Sequence, residues 1–184
     1  MAVSEDARFL TLGPEVAARI QSREFVLLSY VALAGTLLSG ALTKEDRVEL
    51  ALAIPYIALA TSLIATHHDL LIGALSDFMK DLSADTPGLR WHHDPNFLPR
   101  GLRYRTIRDL GVGFFMVVTV AASLFVNQKH ITMKGSISSL QVMLWWGGLL
   151  CGLGVIAVMI MTWGIRHEKA FAKKLWWVEV PFEL

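Results

Sequence analysis

Two triplets in this chain combine the residue types that bind metals and move protons: His67-His68-Asp69 and His92-His93-Asp94. Neutral imidazoles and carboxylates suit zinc. Neighbouring residues on a helix, however, point about 100° apart, so only one histidine of a pair can face a given ion. No spacing of the HExxH kind occurs. The expected roles are hydrogen bonding at an interface and, because imidazole titrates near neutrality, a response to pH. A second concentration of chemistry lies between Thr86 and Arg108, where Arg90, Arg100, Arg103, Arg105 and Arg108 interleave with Trp91, Phe97 and Tyr104. Guanidinium groups pair with phosphate oxygens two at a time, and aromatic faces stack on unpaired bases. Arg90, Trp91, Arg100, Arg103, Tyr104, Arg105 and Arg108 are therefore the candidate ligand-binding residues, for a nucleotide or a single-stranded nucleic acid. The same arginines also suit a helix end anchored to anionic headgroups, and both readings stand at this level.

No phosphate loop, dinucleotide fingerprint or nucleophile–base set is present. The sequence thus names no catalytic residue, no metal set and no cofactor, and it reads as a non-enzyme. What must position the arginines is a membrane protein. The chain has 184 residues, 54% apolar and 18% charged, with a mean hydropathy of +0.48. So low a charge excludes an ordinary soluble domain, and a single cysteine, Cys151, excludes a disulfide scaffold.

The apolar residues fall in four blocks: Phe25 to Leu42, Val48 to Thr66, Leu110 to Val126 and Leu140 to Ile165. Crossing the hydrocarbon takes about 17 to 25 apolar residues, and lipid obliges each segment to pair its own backbone, so all four predict spanning helices. Pro55 interrupts the second block and predicts a kink there. Residues 1–24 mix acidic with basic side chains, unlike a secretory leader, so the first block is expected to remain as a span. Thirteen of the 17 Lys and Arg residues fall in 1–24, 67–109 and 166–184. The positive-inside rule places these segments, and both termini, on the cytoplasmic side of the cell's inner membrane.

The expected architecture is all-α: a cytoplasmic segment (1–24), a transmembrane hairpin (25–66), a cytoplasmic stalk and basic loop (67–109), a second transmembrane pair (110–165) and a tail (166–184). Leu71, Leu75, Phe78 and Leu82 repeat at helical spacing, which predicts that the second span runs on inward as a stalk to about Leu82. A helix lying on the membrane surface is the alternative. Prolines 87, 95 and 99 with Gly88 and Gly101 predict loop from there until a helix begins near Thr106. Within the spans, Ser29, Ala32, Thr36, Ser39 and Thr43 follow steps of three and four, as do Ala51, Pro55, Ala58, Ser62, Ala65 and Asp69. Such stripes permit close helix packing, or line a narrow aqueous path. Ser29, Thr36, Ser39 and Ser62 are the pore-lining candidates. The Gly148/Gly152 pair predicts packing. No ionisable side chain lies mid-span and no internal repeat is visible, which argues against a proton-coupled carrier.

The run IPYIALATSLIATHHDLLIGALSDF, with a proline in the second span leading into a His-rich stalk, resembles small bacterial four-helix membrane effectors of anti-phage defence, Hailong-type effector channels among them. The resemblance covers about residues 25 to 110 and lies in hydropathy layout. It implies a homo-oligomeric channel, with a tetramer as the working number. A cytoplasmic nucleotide or oligonucleotide, made by a partner enzyme, would gate it. A non-catalytic accessory subunit of a larger membrane complex is the alternative, with Trp176 and Trp177 in a docking tail.

Overall fold

The structure is a computed structural model, and it describes residues 5–43, 45–83, 98–133 and 139–172. They are entirely helical: α1 (Glu5–Thr43), a 3-10 segment (Glu45–Ala53), α2 (Ile54–Ser83), α3 (Leu98–Met133) and α4 (Ser139–Ala172). Four helices are long and apolar enough to cross a membrane, as the four blocks predict. The stretch at 84–97, which carries Arg90, Trp91 and the second His-His-Asp triplet, lies outside the described residues, as do Trp176 and Trp177.

Three differences from the sequence reading have physical causes. Pro55 does not kink a running helix. It sits in the first turn of α2, where the proline's missing N–H would have no intrahelical partner anyway, and the nine residues before it wind as 3-10 helix. Next, α3 begins at Leu98 and not near Thr106, again with a proline, Pro99, in the opening turn. Finally, α1 begins at Glu5, so the N-terminal segment continues the first span as one helix of 39 residues.

Each helix therefore overruns its apolar block. The larger surplus lies N-terminal in α1 and α3 and C-terminal in α2 and α4, while α3 also runs on to Met133 at its other end. Helices consecutive in the chain run antiparallel, so the four larger surpluses gather at one end of the bundle. For the second helix this extends what the stalk expectation described, to Ser83. Within that extension Ile72 is the buried residue, whereas Leu71 and Leu75 are half-buried and Phe78 is exposed.

The core is narrow. Tyr30, Ala34 and Ala41 of α1 meet Ala51, Ile54 and Ala58, with Met116, Val120 and Leu124 of α3 and Val155 of α4. α2 is the central element, packed on both α1 and α4, and α3 packs on α4. The stripe Ala51, Pro55, Ala58 and Ser62 is the buried face of the second helix. Gly148 and Gly152 let neighbouring side chains press close on α4: a methyl group on Gly148 would lie 3.3 Å from both Leu124 and Pro55, and one on Gly152 would lie 2.9 Å from Val120. In lipid, which is as apolar as leucine, burial would give little drive for helices to associate, and close packing would supply it instead. Trp146 and Trp163 stand exposed on α4, 58% and 59% accessible. Their 17-residue separation is about 26 Å along a helix, the spacing of interfacial aromatic belts.

Candidate functional site

The spans are tied together by polar contacts at every level. Near the overrunning end, the Arg23 guanidinium is 5% exposed. It donates from Nη1 to Asp69 Oδ1 across the α1–α2 interface (2.6 Å) and from Nη2 to Glu24 on its own helix (2.5 Å). Its Nε and the Nδ1 of His68 are buried without a hydrogen-bond partner among the described residues. One turn further along, the Thr162 hydroxyl donates to Val158 O, so Thr66 is the donor in the 3.1 Å bond between Thr66 and Thr162.

At mid-bundle Tyr30 and Thr119 share a buried 2.5 Å bond. Thr119 already donates to the carbonyls of Phe115 and Met116, which makes the tyrosine the donor. Tyr30→Phe should cost only about 0.5–1.5 kcal/mol, because the threonine stays satisfied. A shift in the detergent unfolding midpoint outside that range would show that the phenol does something else.

The other end carries a second polar group. Ser123, fully buried, donates to Ala51 O at 2.5 Å, and Asn127 donates to Ser123 O at 2.9 Å. Trp145 Nε1 donates to Leu124 O, and Tyr56 donates to Leu144 O. Gln141 pairs with Glu49.

The candidate residues separate in this frame. Arg100, Arg103, Tyr104, Arg105 and Arg108 lie on the backbone of the first turns of α3, at the overrunning end; their side chains are outside the described set. Ser29, Thr36 and Ser39 share an exposed face of α1, roughly opposite the buried Tyr30, Ala34 and Ala41. Thr36 bonds back to Ala32 O. Ser62 is not with them. It is buried in the bundle and bonds to Leu59 O, so the four candidates do not line one path. His67 is exposed and its ring meets that of His68 edge-on. Among the described residues no three His, Cys, Asp or Glu side chains gather as a metal site.

The Arg23–Asp69 pair was a sequence-level omission with a visible signal. Asp69 continues the buried stripe Ala51, Pro55, Ala58, Ser62 and Ala65 by the same step, so its carboxylate heads into the bundle and needs a cation. Thr119, Ser123 and Asn127 had a weaker one, as hydroxyl and amide groups spaced by four along α3.

Fold and contacts together define the class: an all-helical bundle of four apolar helices, compatible with a multi-pass membrane protein. No protein-family model, curated protein or solved structure matches this chain.

Proposed function

We propose that this chain is the subunit of a homo-oligomeric membrane channel, opened from the cytoplasm by a phosphate-rich ligand of the nucleotide or oligonucleotide class. The observation that carries the reading is the outward face of α1. Within one chain the space between the helices is filled by Ala51, Ile54, Ala58, Met116, Val120 and Val155. The hydroxyls of Ser29, Thr36 and Ser39 face outward, where a helix surrounded only by lipid gains nothing from them. A ring of copies would turn that face toward a common axis and give a narrow path lined by hydroxyls. Four copies is the working stoichiometry. Both termini are assigned to the cytoplasm of a cell with an inner membrane, where the arginine-bearing start of α3 would receive the ligand. A partner enzyme would make that ligand, in keeping with the resemblance to defence effectors.

Planar-bilayer recording of the purified full chain tests the reading. The expected result is ligand-dependent conductance, reduced by Thr36→Val with Ser39→Ala. Absence of current under any voltage or nucleotide overturns it. If the chain is stable only alongside another protein, the accessory-subunit reading replaces it. The ligand end has its own measurement: replacing Arg100, Arg103 and Arg105 by alanine should abolish binding of a fluorescein-labelled single-stranded oligonucleotide. Three phosphate contacts should flatten the salt dependence of log K by about two, at about 0.7 per contact on a single strand. Unchanged, salt-insensitive binding in the triple variant removes α3 as the site.

A further inference from the structure

We infer that Arg23 is a reversible latch between α1 and α2 at the overrunning end of the bundle, shared between one carboxylate on each helix. The guanidinium is almost wholly buried, and its two Nη groups are divided between Asp69 on α2 and Glu24 on α1. This division distinguishes it from a permanent staple. A buried cation with its only partner across an interface is stranded when the interface opens, and that cost holds the interface shut. Arg23 keeps Glu24 whichever way α1 moves, because Glu24 is its chain neighbour. Asp69 lies beyond the apolar block, among the polar residues of α2, and can be hydrated when the guanidinium leaves. Opening this end therefore strands no charge.

The seam beyond it is of another kind. Tyr30, Ala34 and Ala41 against Ala51, Ile54 and Ala58 make a buried apolar contact that contains no ion pair. The latch thus lets α1 loosen from α2 at one end while that packing persists. The consequence rests on the channel reading, for which this is the contact that joins the polar end to the spans. The contact itself is measurable without current.

The test uses the full chain with Cys151→Ala, carrying nitroxides at Ile20→Cys and Leu70→Cys. Both positions are exposed and flank the pair, one on each helix. The labelled chain is diluted with unlabelled chain in phosphatidylcholine–phosphatidylglycerol vesicles, and electron–electron double resonance reads the distance. The parent should show a short distance. Asp69→Asn should move most of the population to longer distances. Glu24→Gln should narrow the short one, because Arg23 then keeps Asp69 as its carboxylate partner among the described residues. The exchange Arg23→Asp with Asp69→Arg should restore it. An unchanged distribution in D69N, or an unchanged or longer one in E24Q, overturns the latch. Should D69N lose its helical circular dichroism, E24Q decides alone, since a static staple gives no sharpening there. No ligand or current enters the measurement, so a silent bilayer recording leaves the latch standing, and an unmoved distance leaves conduction standing.

Discussion

Gly152→Leu is expected to open the α3–α4 seam and to destabilise the bundle by about 3 kcal/mol or more, read as a fall in the detergent unfolding midpoint. The magnitude follows from two competing effects. Replacing a mid-helix glycine by alanine gains about 1 kcal/mol of helix propensity. Against that, the new methyl group would sit 2.9 Å from Val120 Cγ1, and the stiff valine cannot rotate out of the way cheaply. Overpacking of this kind costs about 1–3 kcal/mol, so Gly152→Ala should be near neutral to mildly destabilising. Leucine adds three more carbons where the gap does not admit the first, and there the clash wins outright. Val120→Ala provides the control. In that background Gly152→Ala should become stabilising, since the propensity gain remains and the clash is gone. If Gly152→Leu unfolds at the parent midpoint, α3 and α4 are not in the contact described.

Ser123→Ala is expected to cost about 1–3 kcal/mol in the same unfolding measurement. The Ser123 hydroxyl, reaching over from α3, donates to the Ala51 carbonyl at 2.5 Å inside a fully buried environment. Ala51 lies in the last turn of the 3-10 segment, just before α2 begins at Ile54. Backbone turns of that kind make poorer hydrogen bonds than an α-helix, so a buried side-chain donor at the junction adds to what the backbone supplies. The serine thus ties α3 to the point where the second span changes its winding. Ser123→Cys keeps the size and weakens the donor, and it should lose most of the same stability. A loss in S123A below about 0.5 kcal/mol would show that the hydroxyl does not hold this junction.

The Ser123–Ala51 contact also marks where sequence reading reaches its limit. The four apolar blocks were legible because lipid imposes a length and a composition that each helix meets by itself. The packing role of Gly148 and Gly152 was legible for a similar reason, since a four-residue step puts both on one face. Pro55 was legible as a disturbance, yet whether it kinks a helix or opens one depends on where α2 begins, and no local pattern states that the distant Ser123 hydroxyl meets the Ala51 carbonyl. Arg23 reads as one charge among several in a polar leader until α1 is seen to continue through it. Ser29, Thr36, Ser39 and Ser62 look alike on paper. Ser62 turns inward because the second helix is surrounded by its neighbours, whereas α1 has only one flank covered. Helical periodicity assigns a face, and the topology decides what that face meets.

The overrun of the helices has a mechanical side. α1, α3 and α4 contain 39, 36 and 34 residues. At about 1.5 Å per residue these are rods of about 51 to 58 Å, of which a bilayer's hydrocarbon covers about 30 Å. In the channel reading, a rod held at the headgroup level would be a lever with its polar surplus as the free arm. A sideways push on the free arm swings the far arm the opposite way by a comparable distance. The force needed is small, because it is applied far from the pivot. Resistance comes from the opposite end of the bundle, where Ser123 and Trp145 bind helix to helix. A modest force on the polar end would therefore strain the contacts at the far end of the bundle.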